Sequence, residues 1–262
     1  MLAKDFESEL LGSRIEATAI GPFAIGRLCS RDAIQLVESA VQKRRKLDIA
    51  ICNAHTLLHA LDDPQYAATL QKMTLLNDGI GISLASKLLN EKPFPENLNG
   101  TDLIPRILAN IGMPLRIYLL GAKEEQVRRA KEHIEAAYPK HHVVGYRDGY
   151  FSQEDIDGLC EGINAANADL LLVAMGNPRQ ENFIVENRSA LSVPVAIGVG
   201  ALFDFMSGAV VRAPKIVQAV GLEWLFRLIQ EPRRLFRRYV IGIPRFLFAL
   251  MKIRFSRSGN SR

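Results

Sequence analysis

The feature that most narrows what this chain can fold into is an alternation of short, β-branched apolar runs with amphipathic helical stretches. The runs are Leu47–Cys52, Leu115–Leu120, His142–Tyr146, Leu170–Met175 and Val193–Val199, each of strand length. Helical periodicity fills the intervals, over Asp32–Arg45, Gly81–Asn90, Lys123–Tyr138, Glu154–Ala166 and Arg179–Ser189. Ser152 precedes Glu154 and Asp155 as a helix start with acids in the first turn, and Pro139 stops the helix ending at Tyr138. Continuously apolar strands must be covered on both faces. The pattern therefore predicts an α/β fold with a Rossmann-like, mainly parallel sheet sandwiched by helices. A length of 262 residues and 48% hydrophobic content supply a core for it and exclude disordered, collagen-like and disulfide-stapled classes. Cys29, Cys52 and Cys160 are scattered, odd in number and form no CxxC pair, which reads as small buried hydrophobes in a reducing compartment. The first residues carry no apolar signal-peptide core, and no run of 18 apolar residues occurs. The expectation is neither a secreted chain nor one with a membrane span.

Charge divides the chain. From Arg212 to Arg262 twelve Lys/Arg face two acids, Glu223 and Glu231, a local balance of +10; with +5 overall, residues 1–211 stand at −5. The division predicts an α/β domain over 1–211 and a basic helical appendage over 212–262. Such a tail needs an anionic partner: membrane lipid, a phosphorylated ligand or nucleic acid. Leu222–Gln230 reads as an amphipathic helix, Pro232 opens the next, and Pro244 is expected to kink it. Arg234, Arg238, Arg245 and Lys252 repeat there at four and then seven residues and form a stripe, with Leu235, Tyr239, Ile243, Phe246 and Leu250 on other faces. Arg238, Arg245, Phe246 and Lys252 are thus candidates for a helix lying in the headgroup layer of an anionic membrane. The plainer alternative is a docking helix whose charges face water. Nucleic acid is disfavoured, because the aromatics sit among Leu, Ile and Val rather than on a polar surface.

In parallel α/β sheets ligands bind beyond the carboxyl ends of the strands. The residues in that position are Asn53, Asn77-Asp78-Gly79, Gly121, Gly176-Asn177-Pro178-Arg179-Gln180 and Gly198-Val199-Gly200. Asn-Asp-Gly is also a tight-turn sequence, yet a helical pattern follows it. Asp78 then sits near a helix N-terminus, where the dipole keeps a carboxylate ionised and fit to take a proton from a substrate hydroxyl. Gly198-Val199-Gly200 lacks the third glycine of a dinucleotide fingerprint, and no P-loop is present. His55 and His59 come without a third ligand, and Asp155-Ile156-Asp157 is explained by helix capping. No metal and no cofactor is expected.

Several segments together resemble one family: LNDGIGISLASKLL (76–89), LNGTDLIPRIL (98–108), IYLLGAKEEQVRRAKEHIEAAYP (117–139), RDGYF (147–151), LLLVAMGNPRQENFI (170–184) and the stretch 196–239 with GLEWLFRLIQEP. Across about residues 15–240 they resemble the WecG/TagA/CpsF family of bacterial glycosyltransferases, family 26. The resemblance implies an inverting, metal-independent transferase. Such an enzyme moves a sugar from a UDP-sugar to a polyprenyl-diphosphate-linked sugar, at the cytoplasmic face of the bacterial inner membrane. It implies Asp78 as the base that deprotonates the acceptor, Gln180 near the nucleotide-sugar, and Asn53 in an Asn-Ala motif. It implies Arg227, Arg234 and Arg237 as appendage arginines closing over the diphosphate; Asn77, Asn97, Gly121 and Arg212 complete the candidate substrate-binding set. It further implies a homo-oligomer that becomes monomeric on the membrane. Many members carry Thr where Ile51 stands and Arg where Asn97 stands. These departures lead to the expectation of a different donor, glucose, and of exopolysaccharide biosynthesis of the xanthan and acetan type. The alternatives are N-acetylmannosamine or its uronic acid in surface-polymer, teichoic acid or common-antigen assembly, and a non-catalytic nucleotide or nucleic-acid binding protein.

Overall fold

The computed structural model describes residues 15–214, 217, 223–230 and 232–259. Among these, eight strands form one sheet: β1 (Ala17–Ile20), β2 (Phe23–Gly26), β3 (Leu47–Cys52), β4 (Thr74–Asn77), β5 (Arg116–Gly121), β6 (His142–Arg147), β7 (Leu170–Ala174) and β8 (Val195–Gly198). Their order is β1-β2-β4-β3-β8-β7-β5-β6. All pairings are parallel except the β1–β2 hairpin. The helices in chain order are α1 (Ser30–Gln42), α2 (Ala54–Asp62), α3 (Pro64–Leu70), α4 (Gly79–Asn90), α5 (Gly100–Asn110), α6 (Glu124–Ala137), α7 (Ile156–Ala165), α8 (Arg179–Glu186) and α9 (Leu202–Met206). Beyond them lie α10 (Glu223–Gln230), α11 (Pro232–Phe236) and α12 (Gly242–Gly259).

Strand side chains alternate between two cores, as the pleat requires. Leu47, Ile49 and Ile51 of β3, with Leu170, Leu172 and Ala174 of β7, pack under α1, α5, α6 and α9. Ala50, Cys52, Leu171 and Val173 pack on the opposite face with α2, α3, α4, α7 and α8. The sheet is therefore covered on both sides and its carboxyl edge is left to the loops. Cys52 and Cys160 are buried, and all three cysteines are unpaired.

The C-terminal helices depart from the expected arrangement. Phe246 and Leu250 of α12 are fully buried in the core that holds α2 and the β1–β2 hairpin, and Leu235 of α11 is buried too. Phe246 is thus a packing residue of the protein's interior rather than a lipid-facing one, because α12 lies on α2 and spends that side chain there. The irregularity expected at Pro244 falls one turn earlier. Residues Arg237–Ile241 form a π turn, in which the Gly242 amide donates to the Arg237 carbonyl. Pro244 has no amide for the Val240 carbonyl, and its ring crowds that carbonyl, so the preceding turn widens. One inserted residue rotates everything after it, which separates Arg234 and Arg238 from the line of Arg245 and Lys252.

Candidate active site

A cleft of ≈ 1590 Å³ opens over the carboxyl ends of β3, β4, β7 and β8. Its floor carries Asn53, Asp78, Asn177, Gln180 and Gly200, and its upper wall Trp224, Arg237, Arg238, Tyr239 and Arg245. Lys123, Gln126 and Tyr150 line the cleft as well. Each helix that starts at this edge shows how its first residue is employed. Asn53 caps α2: its Oδ1 accepts from the His55 and Thr56 amides at 3.1 and 3.2 Å. Asn99 does the same for α5, accepting from the Asp102 amide at 3.0 Å.

Asp78 differs. It occupies the N-cap of α4 but makes no side-chain cap hydrogen bond; its Oδ2 accepts from Asn53 Nδ2 at 3.4 Å. The acceptor for the first amide of α4 comes from outside the helix, as Asn97 Oδ1 takes the Gly79 N–H at 2.7 Å. This carboxylate, held by an amide and making no cap hydrogen bond, lines the cleft at a helix start, where the helix dipole favours negative charge.

Gln180, in the floor, is almost wholly buried. Its Oε1 accepts from the Gly176 amide at 3.2 Å and the Gly200 amide at 3.1 Å, joining the loops after β7 and β8. Its Nε2 donates to Glu181 Oε1 at 2.7 Å, which fixes the amide's orientation. Glu181 is wholly buried and also accepts from Asn177 Nδ2 at 2.6 Å and the Tyr66 hydroxyl at 3.1 Å. Burial raises the pKa of Glu181, opposed by these donors, and burial together with Glu181 raises that of Tyr66. Sequence reasoning missed Glu181 and Tyr66 as site supports. The Gln-Glu pair of the 176–181 segment was the available signal for the first, whereas only the fold brings Tyr66 to it.

Three of the expected binding residues stand behind the walls. Asn77 is fully buried, with its Nδ2 donating to the Glu96 carbonyl at 2.8 Å, so it pins the 96–98 loop instead of facing a ligand. Gly121 has φ +125, and a Cβ there would lie 2.4 Å from the Ala174 carbonyl oxygen; it is required for the close approach of β5 and β7. Arg212 forms an ion pair with Asp102 of α5. Burial pushes the Asp102 carboxyl upward, but the hydrogen bonds from Arg212 and Asn99 outweigh it and leave its pKa lowered. Asn53, Asp78, Asn97, Gln180 and Arg237 do line the cleft. The backbones of Arg227 and Arg234 lie in α10 and α11, and their side chains fall outside the described ones. Arg245 pairs with Asp62 at 3.0 Å on the surface, and Lys252 is exposed on α12.

His55 and His59 line the cleft. Burial first, then Arg238 and His59, lower the pKa of His55 and favour its neutral form. Among the described residues no group of three or more His, Cys, Asp or Glu is arranged to hold a metal ion. Asp155 Oδ2 accepts from the Ser152 amide at 2.8 Å, so this carboxylate serves the helix start as expected.

Residues 19–260 match the family model described as the glycosyl transferase WecG/TagA/CpsF family. Two curated relatives, from Bacillus spizizenii and Bacillus subtilis, are each 33% identical over 206 residues, which is 78% of this chain and 78% of theirs. Both are N-acetylglucosaminyldiphosphoundecaprenol N-acetyl-beta-D-mannosaminyltransferases. These relatives overturn the expectation of glucosyl transfer in exopolysaccharide synthesis. The two positions that suggested it have other duties: Asn97 gives its oxygen to the Gly79 amide, and Ile51 is buried against Gly100. With the motifs, the cleft at the carboxyl edge and the match over most of its length, the chain belongs to the glycosyl transferase WecG/TagA/CpsF family.

Proposed function

We propose that this protein transfers N-acetylmannosamine, with inversion and without a metal, from UDP-N-acetylmannosamine to an N-acetylglucosamine carried on a polyprenyl diphosphate. The enzyme works as a peripheral protein on the cytoplasmic face of the membrane, with residues 212–262 as its basic appendage. The observation that carries this reading is Asp78, a cap-position carboxylate that does not cap its helix and opens on a cleft walled by Arg237 and Arg238. Asp78 takes the proton of the acceptor hydroxyl, whose oxygen attacks the anomeric carbon. The bond from that carbon to the diphosphate oxygen breaks, its electron pair leaves with UDP, and the arginines offset the charge that develops. Asn53, at 3.4 Å from Asp78, steadies the carboxylate. The relatives' lipid-linked acceptor supports membrane work; among the described residues no helix is long and apolar enough to cross a bilayer.

The test is UDP release with UDP-N-acetylmannosamine and a short-chain N-acetylglucosaminyl-diphosphate-prenol in the presence of EDTA. Asp78→Asn is expected to lower turnover by about 100-fold or more while UDP affinity stays near wild type. Loss of UDP binding along with turnover would make Asp78 structural, and silence of the wild type with this pair would overturn the substrate assignment.

A further inference from the structure

Helix α4 is apolar on two sides. Ile82 and Ala85 are buried in the core, whereas Ile80, Leu84 and Leu88, each four residues from the next, stand 44–45% exposed in a line up the opposite side. A helix that is apolar all round ordinarily lies inside a protein, and an outer stripe of this kind marks a contact with something else. Helix α12 repeats the pattern. Phe246 and Leu250 turn inward, while Phe248 and Phe255 stand 73% and 66% exposed, alternating with Arg245 and Lys252 at helical spacing.

The two helices run side by side with matched ends. At one end a Cβ on Gly81 would lie 3.6 Å from Ile243 Cγ1, and Ile80 and Ile241 border the same cleft. At the other, Arg254 Nη1 donates to the Leu88 carbonyl at 3.0 Å and to the Leu89 carbonyl at 3.4 Å. Their charge is of one sign. Lys87, Arg245, Lys252 and Arg254 lie on them, and neither helix contains an acid; those at their borders are Asp78, which precedes α4 and lines the cleft, Glu91, just beyond α4, and Asp62, paired with Arg245.

We propose that Ile80, Leu84 and Leu88 of α4 rest in the headgroup–acyl boundary of an anionic bilayer, so that the catalytic body itself, beside α12, forms the lipid-docking face. The proposal rests on the peripheral-membrane reading above and extends it from the appendage to the body. Apolar side chains ringed by bases fit anionic lipid. A second copy seated through the same patch would bring bases against bases. Because Asp78 begins α4, the docked helix sets how far the catalytic carboxylate stands from the lipid diphosphate.

The experiment uses the full chain with vesicles of phosphatidylcholine and phosphatidylglycerol, with and without brominated acyl chains. Leu84→Trp adds an emission to that of Trp224; on vesicles it is expected to shift to the blue and be quenched by the brominated lipid. Leu84→Ser/Leu88→Ser is expected to weaken vesicle binding by about tenfold and to leave turnover of a water-soluble short-chain acceptor unchanged. Vesicle binding without any shift or quenching of the new emission would overturn the α4 proposal and leave the peripheral reading standing. Failure of the full chain to bind vesicles would overturn both. A concentration-dependent blue shift without vesicles would mean that a second copy covers the stripe, and would also overturn it.

Discussion

Replacing Asn97 by alanine separates the two duties that meet at the start of α4. The substitution removes the oxygen that accepts the Gly79 amide at 2.7 Å. A helix-start acceptor contributes about 1 kcal/mol, with a range of about 0.5–2 kcal/mol. Asp78 already has the extended backbone of a capping residue, φ −128 and ψ 123, so its carboxylate can swing back onto the first-turn amides and recover much of that loss. The carboxylate then spends most of its time on the helix instead of in the cleft. A bias of about 1 kcal/mol corresponds to about a fivefold shift in population. The expected result is a protein whose denaturant-unfolding free energy is within about 0.5 kcal/mol of wild type, whose UDP affinity is unchanged, and whose turnover is about fivefold lower. Unfolding and donor-dependent UDP release on the same preparation measure both quantities. A stability loss of about 1 kcal/mol or more with undiminished turnover would refute the reasoning, since Asp78 would then be indifferent to the vacated cap.

Gln180→Ala leaves two loop amides without their acceptor and the buried Glu181 with one donor fewer. Denaturant unfolding is expected to show about 2–3 kcal/mol of destabilisation, mostly from Glu181, which water cannot reach. Phe246→Ala empties a fully buried site between α12 and the body and is expected to weaken that packing by about 3–5 kcal/mol, seen as faster amide exchange in α12 with β3 and β7 unchanged. Burial, opposed by Arg188 and Lys46, lifts the Asp48 carboxyl from 3.8 to about 6. A folded pKa above the unfolded one means that the contribution of this group to stability is fully present below about pH 4 and is lost as pH rises through about 6. The decline is about 3 kcal/mol for this group, and in thermal unfolding the Asp48→Asn variant is expected to lose that slope.

The strands were legible because they are fully covered and therefore continuously apolar; β3, β5 and β7 lie within a residue of the expected runs, and β8 begins two residues into its run. The β1–β2 hairpin escaped notice because four-residue strands across Gly21-Pro22 offer too little alternation to stand out. Helix α5 was passed over since Pro105 interrupts its pattern, though Asn99 caps it as a sequence reader could have foreseen. Asp78 and Asn53, expected beyond strand ends, line the cleft there. Asn77 and Arg212 had the right composition but spend their polar atoms on Glu96 and Asp102, partners that only the tertiary fold supplies. The reading of the C-terminal stripe assumed unbroken α-helical phase, and the π turn at 237–241 broke it.

The bond from one Gln180 oxygen to both Gly176 and Gly200 has a consequence for changing what this enzyme accepts. The β7 and β8 loops are mechanically one piece, so a substitution meant to reshape either of them drags the other and strains the buried Glu181 below. The floor is accordingly poor material for engineering. The opposite rim, where Ser83, Arg237 and Tyr239 line the cleft, does not enter that tie, so variants there are expected to fold more readily than variants of the floor.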